Sequence, residues 1–182
     1  MRVYHTGYLE LKKPDVHYGR ENADFGQGFY VTPEQEFALR WAKAREGQQT
    51  IINEYELDLS GLNVHRFDRS IDWFRYIFKN RKTATDMLDV DVVIGPIAND
   101  IIFDTMGIIS SGFLEEEEAL RLLLVGPEFH QIALKTEAAA VKLNWLGARV
   151  IGKDELEANA AWIEAEQKKY LEQLAEVIDE AD

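Results

Sequence analysis

The chain of 182 residues has the length of one ordinary globular domain, and its hydrophobic fraction of 46% can fill a core, which argues against disorder. It has no cysteine, which excludes disulfide scaffolds, thiolate nucleophiles and cysteine-ligated metal centres. The net charge of −13 disfavours general binding to a nucleic-acid backbone. However, residues 153–182 carry −7 and the four Glu at 115–118 carry −4, so the remaining chain is nearly neutral.

Strand and helix patterns alternate from the first residues. In chain order the first half predicts a strand at Arg2–Tyr8, a loop at Lys12–Asn22, a strand at Gly28–Thr32, a helix from Thr32 to Gly47, and strands at Thr50–Leu59 and Asn63–Phe67. The helix prediction depends on Thr32 as its cap, on Pro33 in its first turn and on apolar residues at helical spacing, namely Phe37, Ala38, Trp41 and Ala42.

The second half continues this alternation. It predicts a helix at Ser70–Asn80, a strand at Asp91–Ile97, a helix at Glu115–Val125, a strand at Gln131–Thr136 and a helix at Glu137–Leu143. Short helices between about six strands indicate an α+β fold with a mixed or antiparallel sheet.

The acidic tail is a separate element. Its apolar residues recur every seven positions at Leu156, Ile163, Tyr170 and Val177, which predicts a long amphipathic C-terminal helix. We therefore divide the chain into a domain at 1–150 and an acidic helix at 151–182. The pattern favours docking of this helix on its own domain over a coiled coil, because Ala160 and Gln167 weaken the second apolar line.

The location of the protein is expected to be the cytoplasm, without contact to a membrane. The first residues alternate like a strand and lack the unbroken apolar segment of a signal peptide. No apolar run reaches the length of about eighteen residues that a membrane-spanning helix requires.

Three segments contain residues that folding alone does not require. Tyr4-His5-Thr6-Gly7 places a His before a Gly in a strand, although a lone strand His is more often structural. In the segment 24–32, Gly26 and Gly28 precede an aromatic strand, which permits close approach of a flat ligand or phosphate, or simply a bulge. The third is Gln131, which opens a strand and is uninformative by itself.

Common catalytic motifs are missing from the chain. The two glycines lack the third Gly and the strand-then-helix context of a dinucleotide-binding fingerprint. The sequence also lacks paired His at metal-ligand spacing, a nucleophile elbow and a phosphate-binding loop of the Walker type. We therefore expect no metal site.

Together, the three segments resemble a known family. The block DFGxGFYxT at 24–32, combined with the segments at 4–7 and 91–98 and with Gln131, is similar to a bacterial and phage family catalogued as a domain of unknown function. That family resembles the ADP-ribosyltransferase superfamily of the His–Tyr–Glu, diphtheria-toxin-like type. The resemblance covers about residues 3–147 and leaves the tail out. The chain departs from the family at Asn99, commonly Asp, and at 133–135, commonly Cys-Phe-His.

The resemblance implies an ADP-ribosyltransferase-like fold, in which two small mixed or antiparallel sheets form a cleft for NAD. It implies that His5 bonds ribose hydroxyls and the nicotinamide amide, and that the Thr6-Gly7 backbone clamps the carboxamide. Tyr30 would stack on the nicotinamide ring, and Gln131 would occupy the place of the catalytic Glu. The catalytic set is then His5, Tyr30 and Gln131.

The set of NAD-binding residues is wider than the catalytic set. It comprises His5, Thr6, Gly7, Gly26, Gly28 and Tyr30. Arg20 and Arg81 are either pyrophosphate ligands or surface charges.

The neutral side chain of Gln131 is the chemical difficulty. Cleavage of the nicotinamide–ribose bond passes through an oxocarbenium-like state, which a nearby negative charge stabilises. An amide lacks that charge, so either turnover is modest or another carboxylate reaches the site. The candidates are Asp24, Asp100 and Glu137.

The leading hypothesis is therefore an enzyme that transfers ADP-ribose from NAD to a macromolecule and releases nicotinamide, with hydrolysis of NAD as a sub-case. The charge distribution favours a protein acceptor over a nucleic acid. The family's setting among paired small genes implies a toxin-type role with a small antitoxin protein as partner. The alternatives are a non-catalytic nucleotide-binding or interaction module that lost the Glu, and an oligomeric scaffold organised by the tail.

Overall fold

The chain forms two small sheets with helices packed on them. The computed structural model describes residues 1–83, 86–98 and 128–179. Its strands are β1 (Arg2–Gly7), β2 (Phe29–Val31), β3 (Ile51–Leu57), β4 (Val64–Arg66), β5 (Val92–Pro96), β6 (His130–Leu134) and β7 (Leu143–Val150). Its helices are α1 (Gln35–Arg40), α2 (Ile71–Thr83), α3 (Glu137–Ala140) and α4 (Lys153–Asp179).

Strand pairing confirms the α+β class and the two small mixed or antiparallel sheets. The first sheet has the order β1-β3-β7 and is antiparallel throughout. The second has the order β2-β6-β5-β4, in which β4 and β5 run parallel and the other neighbours antiparallel. Both sheets pair strands that are distant in sequence, since the first joins segments between Arg2 and Val150 and the second joins segments between Phe29 and Leu134.

Three apolar clusters arrange these elements in layers. One cluster lies between the sheets and joins Val3 and Tyr55 of the first to Val31 and Ile132 of the second. A second cluster packs α2, through Trp73 and its neighbours, on the other face of the second sheet. A third packs α1 and the start of α4 on the first sheet. The order of layers is thus helices, first sheet, second sheet, and α2.

The two sheets are also joined through their backbones. The N–H of Tyr4 donates to the carbonyl of Thr32 at 2.8 Å, and the N–H of Thr32 donates back to the carbonyl of Tyr4 at 2.9 Å. This isolated bridge ties the outer edge of β1 to the end of β2.

The first half of α4 docks on α1. The Arg40 guanidinium lies 3.9 Å from the ring centre of Trp162 and forms an ion pair with Glu166 at 3.6 Å. The amide of Asn159 donates to the carbonyl of Leu39 at 2.5 Å. The amphipathic spacing of the tail therefore corresponds to a helix that packs against its own domain.

The helix predicted from Thr32 to Gly47 is shorter in the structure. α1 begins at Gln35 and ends at Arg40, and its cap residue Glu34 makes no side-chain cap bond. Thr32 is instead fully buried in the bridge to Tyr4, and its hydroxyl donates to the Glu34 carboxylate at 2.8 Å. The helix therefore begins later than predicted, although the Thr32 hydroxyl does accept a bond from the N–H of Glu34 at 3.2 Å just ahead of it.

Strand β7 was missed, and the helix predicted at Glu137–Leu143 is confined to α3. Thr136, read as the end of a strand, caps α3 by accepting a bond from the N–H of Ala139 at 3.2 Å. The predicted helix Glu115–Val125 and the residues Asn99 and Asp100 lie outside the described residues. Within the described part of the chain, no helix is both long and apolar enough to cross a membrane.

Candidate functional site

A pocket of about 320 Å³ lies beside the outer edge of β1, near the junction of the two sheets. Among the described residues, its walls comprise His5, Thr6, Arg20, Asn22, Ala23, Asp24, Tyr30, Trp41, Arg81, Ile97, Ala98 and Gln131. Four residues that the sequence singles out, His5, Thr6, Tyr30 and Gln131, therefore share one pocket although they are up to 126 positions apart.

His5 is held in one orientation and one protonation state. Its Nδ1 lies 2.7 Å from the carbonyl oxygen of Tyr30, and because a carbonyl only accepts, Nδ1 carries the proton. Burial lowers the pKa of His5, which the bond to Tyr30 only partly opposes. The ring is therefore neutral near pH 7, and Nε2 is a hydrogen-bond acceptor.

Gly7 leaves room beside that acceptor. A Cβ at this position would lie 3.4 Å from Nε2 of His5, so a side chain at 7 would crowd the imidazole. Gly7 itself is not among the residues that line the pocket.

Thr6 presents its backbone to the pocket. Because Tyr4 directs both its N–H and its carbonyl toward Thr32, the alternation along an antiparallel strand directs those of Thr6 to the same outer edge. By the same alternation, those of Gly7 face β3. The hydroxyl of Thr6 is already bonded to the carbonyl of Ala38 at 2.6 Å. The polar groups that Thr6 offers are therefore those of its main chain.

Tyr30 enters the pocket with its hydroxyl already bonded. The hydroxyl donates to the carbonyl of Gly26 at 2.7 Å and accepts from the N–H of Phe25 at 2.9 Å. Burial, with a smaller effect of the Asp24 carboxylate, raises the pKa of Tyr30 well above its usual value. The phenol thus stays protonated and fastens the segment that precedes β2.

The two glycines of the DFGxGFY block shape the chain. Gly26 has a φ of +78°, and a Cβ there would lie 2.7 Å from Oδ2 of Asp86. A Cβ at Gly28 would lie 2.7 Å from the carbonyl oxygen of Leu134, so β2 approaches β6 more closely than a side chain permits. Neither glycine lines the pocket. Both instead determine the path of the backbone between Asp24 and Tyr30.

Asp24 joins two other walls of the pocket. Its Oδ1 accepts from Nε of Arg81 at 2.6 Å and lies 2.5 Å from Nη2, while its Oδ2 accepts from Nε2 of Gln131 at 2.9 Å. Gln131 is buried, with 5% of the residue exposed, and the side chains of Arg81 and Asp24 are only 8% and 13% exposed. The carboxylate accepts only, so the Gln131 carbonyl is the end of the amide turned away from Asp24.

A second ion pair supports this segment from the other side. Lys135 forms an ion pair with Asp86 and donates to the carbonyl of Phe25 at 2.8 Å. The hydroxyl of Tyr76 donates to Oδ1 of Asp86 at 2.8 Å. Burial lowers the pKa of Lys135 to about 8. Lys135 thus anchors the chain next to Asp24.

The three carboxylates proposed as additions to Gln131 have different locations. Asp24 contacts Gln131 directly, whereas Glu137 begins α3 and lines a different pocket. Asp100 lies outside the described residues. Of the two arginines, Arg20 lines the pocket and Arg81 is committed to Asp24.

Sequence reasoning did not place Trp41 at the site. Its helical spacing with Phe37 and Ala38 indicated a core position, but α1 ends at Arg40, and Trp41 follows as its C-terminal cap. The early end of the helix lets its side chain form a wall of the pocket. Asn22, Ala23, Ile97 and Ala98 were also missed, because no local pattern marks a residue that becomes a wall through tertiary contacts.

Comparisons with known proteins give one family. No curated protein matches the chain. In the described ranges, no group of three or more His, Cys, Asp or Glu is placed to hold a metal ion. Residues 1–145 match the family described as protein of unknown function, DUF3990, and because this match spans most of the chain, the protein belongs to that family.

Proposed function

We propose that the protein is an ADP-ribosyltransferase-like enzyme that uses NAD as its substrate and transfers ADP-ribose to a macromolecule. The observation that carries the proposal is the convergence of His5, Thr6, Tyr30 and Gln131 on one pocket. These four residues are the ones to which the sequence resemblance assigns contacts with nicotinamide and its ribose. We also propose that the fold is ADP-ribosyltransferase-like and that NAD binds in a cleft where the two sheets meet.

The size of the pocket supports the binding of one half of a dinucleotide. A volume of about 320 Å³ lies at the low end of the range of about 300–1,000 Å³ that is typical for ligand sites. We assign this volume to nicotinamide and its ribose. Arg20, at the wall, is then the cation available for the pyrophosphate.

Four of the wall residues have groups suited to this ligand. The outward N–H and carbonyl of Thr6 can pair with the carboxamide, which carries both a donor and an acceptor. This assigns the clamp to Thr6 rather than to Gly7. The ring of Tyr30 can stack on nicotinamide, a contact worth about 0.5–1.5 kcal/mol beyond burial. Nε2 of His5 and the carbonyl of Gln131 can accept bonds from ribose hydroxyls.

The reaction breaks the bond between C1′ of the ribose and the nicotinamide nitrogen. The bonding pair leaves with nicotinamide and cancels the positive charge of its ring. The acceptor's nucleophilic atom bonds to C1′ and its proton passes to solvent. A hydroxyl or amide acceptor gives a modified macromolecule, and water gives free ADP-ribose.

The direct test measures nicotinamide release from NAD by the purified chain. Tyr30→Ala should abolish release, whereas Tyr18→Ala, at a tyrosine that is 92% exposed and outside the pocket, should leave it unchanged. Binding of NAD to the wild type without release above the Tyr30→Ala level would instead support the non-catalytic module. The observation that favours this second function is the neutral amide at Gln131.

The acceptor and the biological role are further parts of the proposal. The net charge of −13 favours a protein acceptor, because a nucleic acid would be repelled. Incubation with labelled NAD and a cell lysate should leave label in the protein fraction. A toxin-type role predicts that expression of the chain arrests growth, and that a small partner protein relieves the arrest.

A further inference from the structure

The hydrogen bond between Asp24 and Gln131 has a chemical consequence for the pocket. An amide can present either its carbonyl or its NH2 group to a ligand, and the two ends have nearly the same shape. Here Nε2 is bound to a carboxylate at 2.9 Å, which cannot donate. The amide therefore has one orientation, in which its carbonyl has no hydrogen-bond partner among the described residues and can accept from a ligand.

The carboxylate itself is held in place. Arg81 of α2 approaches Oδ1 with two nitrogen atoms, at 2.6 and 2.5 Å. The amide of Asn80, on the same helix, donates to the backbone carbonyl of Asp24 at 3.0 Å. Arg81 occupies Oδ1, Asn80 holds the backbone, and Oδ2 is directed at Gln131. Arg81, Asp24 and Gln131 thus form a fixed series of charge-assisted bonds.

We propose that Asp24 is a positioning residue that orients the Gln131 amide, and that it is the carboxylate which makes a Gln suitable at this position. The inference depends on the proposed NAD chemistry for its catalytic part only. A Glu at 131 would place a second carboxylate oxygen next to Oδ2 of Asp24. Two carboxylates that share a site cannot both ionise readily, so one pKa rises strongly.

The test of the proposal exchanges the carboxylate of residue 24 and the amide of residue 131. In Asp24→Asn, the Asn carbonyl accepts from Arg81, so the Asn NH2 group would face the NH2 group of Gln131. We expect the Gln131 amide to turn over and direct its NH2 group into the pocket. In Gln131→Glu, two carboxylates meet. In the double variant Asp24→Asn with Gln131→Glu, the Asn amide donates to the new carboxylate, its carbonyl still accepts from Arg81, and the net charge is unchanged.

Catalysis should follow this pattern. We expect Asp24→Asn to lower kcat for nicotinamide release by about 10–100-fold, while the Kd for NAD changes by less than about threefold, which is under ~0.7 kcal/mol. Gln131→Glu alone should release nicotinamide more slowly than the wild type at pH 7, and the double variant should recover at least the wild-type rate. The exposed Asp58, which lies outside the pocket, provides Asp58→Asn as the matched control.

A stability measurement separates this inference from the proposed function. In the described ranges, the other charged or titratable side chains that line the pocket with this pair are Arg81, Arg20, His5 and Tyr30, and they are common to all variants. In Gln131→Glu the raised pKa means that the folded state binds an extra proton, so stability is lost as pH rises through that value. Its Tm should fall between pH 5 and 8 by about 2–4 °C relative to the double variant.

The outcomes are distinct. A wild type that releases no nicotinamide would refute the proposed function, while the two Tm curves would still decide whether Asp24 and the residue at 131 share a site. Parallel Tm curves for Gln131→Glu and the double variant would overturn the inference. So would an unchanged kcat in Asp24→Asn, or full activity of Gln131→Glu alone.

Discussion

At the scale of the residue, burial sets the protonation state of His5. Its Nδ1–H is fixed on the carbonyl of Tyr30, and burial lowers its pKa below the usual value of 6.5. The unfolded chain therefore binds a proton more readily than the folded protein when the pH is lowered through about 6.5. Stability due to this residue is complete above that pH and declines below it.

This linkage predicts a difference between the wild type and His5→Asn. Asn can keep the donor to Tyr30, but it does not titrate. The free energy of unfolding, measured by urea denaturation, should decrease more for the wild type than for the variant between pH 7.5 and 5.5. Two curves with the same pH dependence would show that His5 is not buried as a neutral ring.

Gly26 provides a second test at this scale. Gly26→Ala combines a strained φ of +78° with a Cβ that meets Asp86, so we expect a loss of about 1–3 kcal/mol of unfolding free energy. Gly61→Ala is the matched control, because its φ is +77° and nothing lies within 4 Å of its Cβ. It should cost only about 1 kcal/mol. Equal losses would mean that contact with Asp86 has no effect.

The site was predictable only in part at the residue scale. The motif and the resemblance selected His5, Tyr30 and Gln131, which meet in one pocket. They did not decide among Asp24, Asp100 and Glu137 as the nearby carboxylate, because Asp24 and Gln131 are 107 positions apart and no local pattern records their hydrogen bond. Only the pairing of β2 with β6 brings these two segments together.

At the scale of the element, most strands were predicted because alternating β-branched residues form a local signal. Strand β7 was missed because Leu146 and Gly147 interrupt that alternation, at the point where the register with β3 shifts between Trp145 and Gly147. As an edge strand it has one neighbour, β3, and several of its residues are exposed. The strand orders were not predicted, since both sheets join segments that are far apart in sequence.

The docking of α4 on α1 gives a prediction for a single element. Trp162 lies over Arg40, whereas Leu171, further along the helix, is 57% exposed. Trp162→Ala should increase amide hydrogen exchange in the first half of α4, because that half depends on this tertiary contact. Leu171→Ala should leave the exchange there unchanged. Similar exchange in both variants would contradict the observed docking.

At the scale of the whole molecule, the acidic helix and the pocket are built from separate parts of the chain. All described residues that line the pocket lie between positions 5 and 131, and α4 begins at Lys153. Truncation after Gly152 should therefore lower stability, since it removes Leu156 from the cluster with Ala38 and Ile52, but should retain NAD binding. Titration calorimetry checks the binding, and circular dichroism checks that the shortened chain is folded.

The bridge between Tyr4 and Thr32 is a point about which the two sheets could rotate relative to each other. Within the part of the chain that the structure describes, it is the isolated backbone pairing that links one sheet to the other. A small rotation about it would leave every strand ladder intact, yet it would widen or narrow the space between His5 on one sheet and Gln131 on the other. A molecule bound between these two side chains would resist that rotation. The free energy of unfolding of the entire chain should therefore increase with the affinity of the bound molecule.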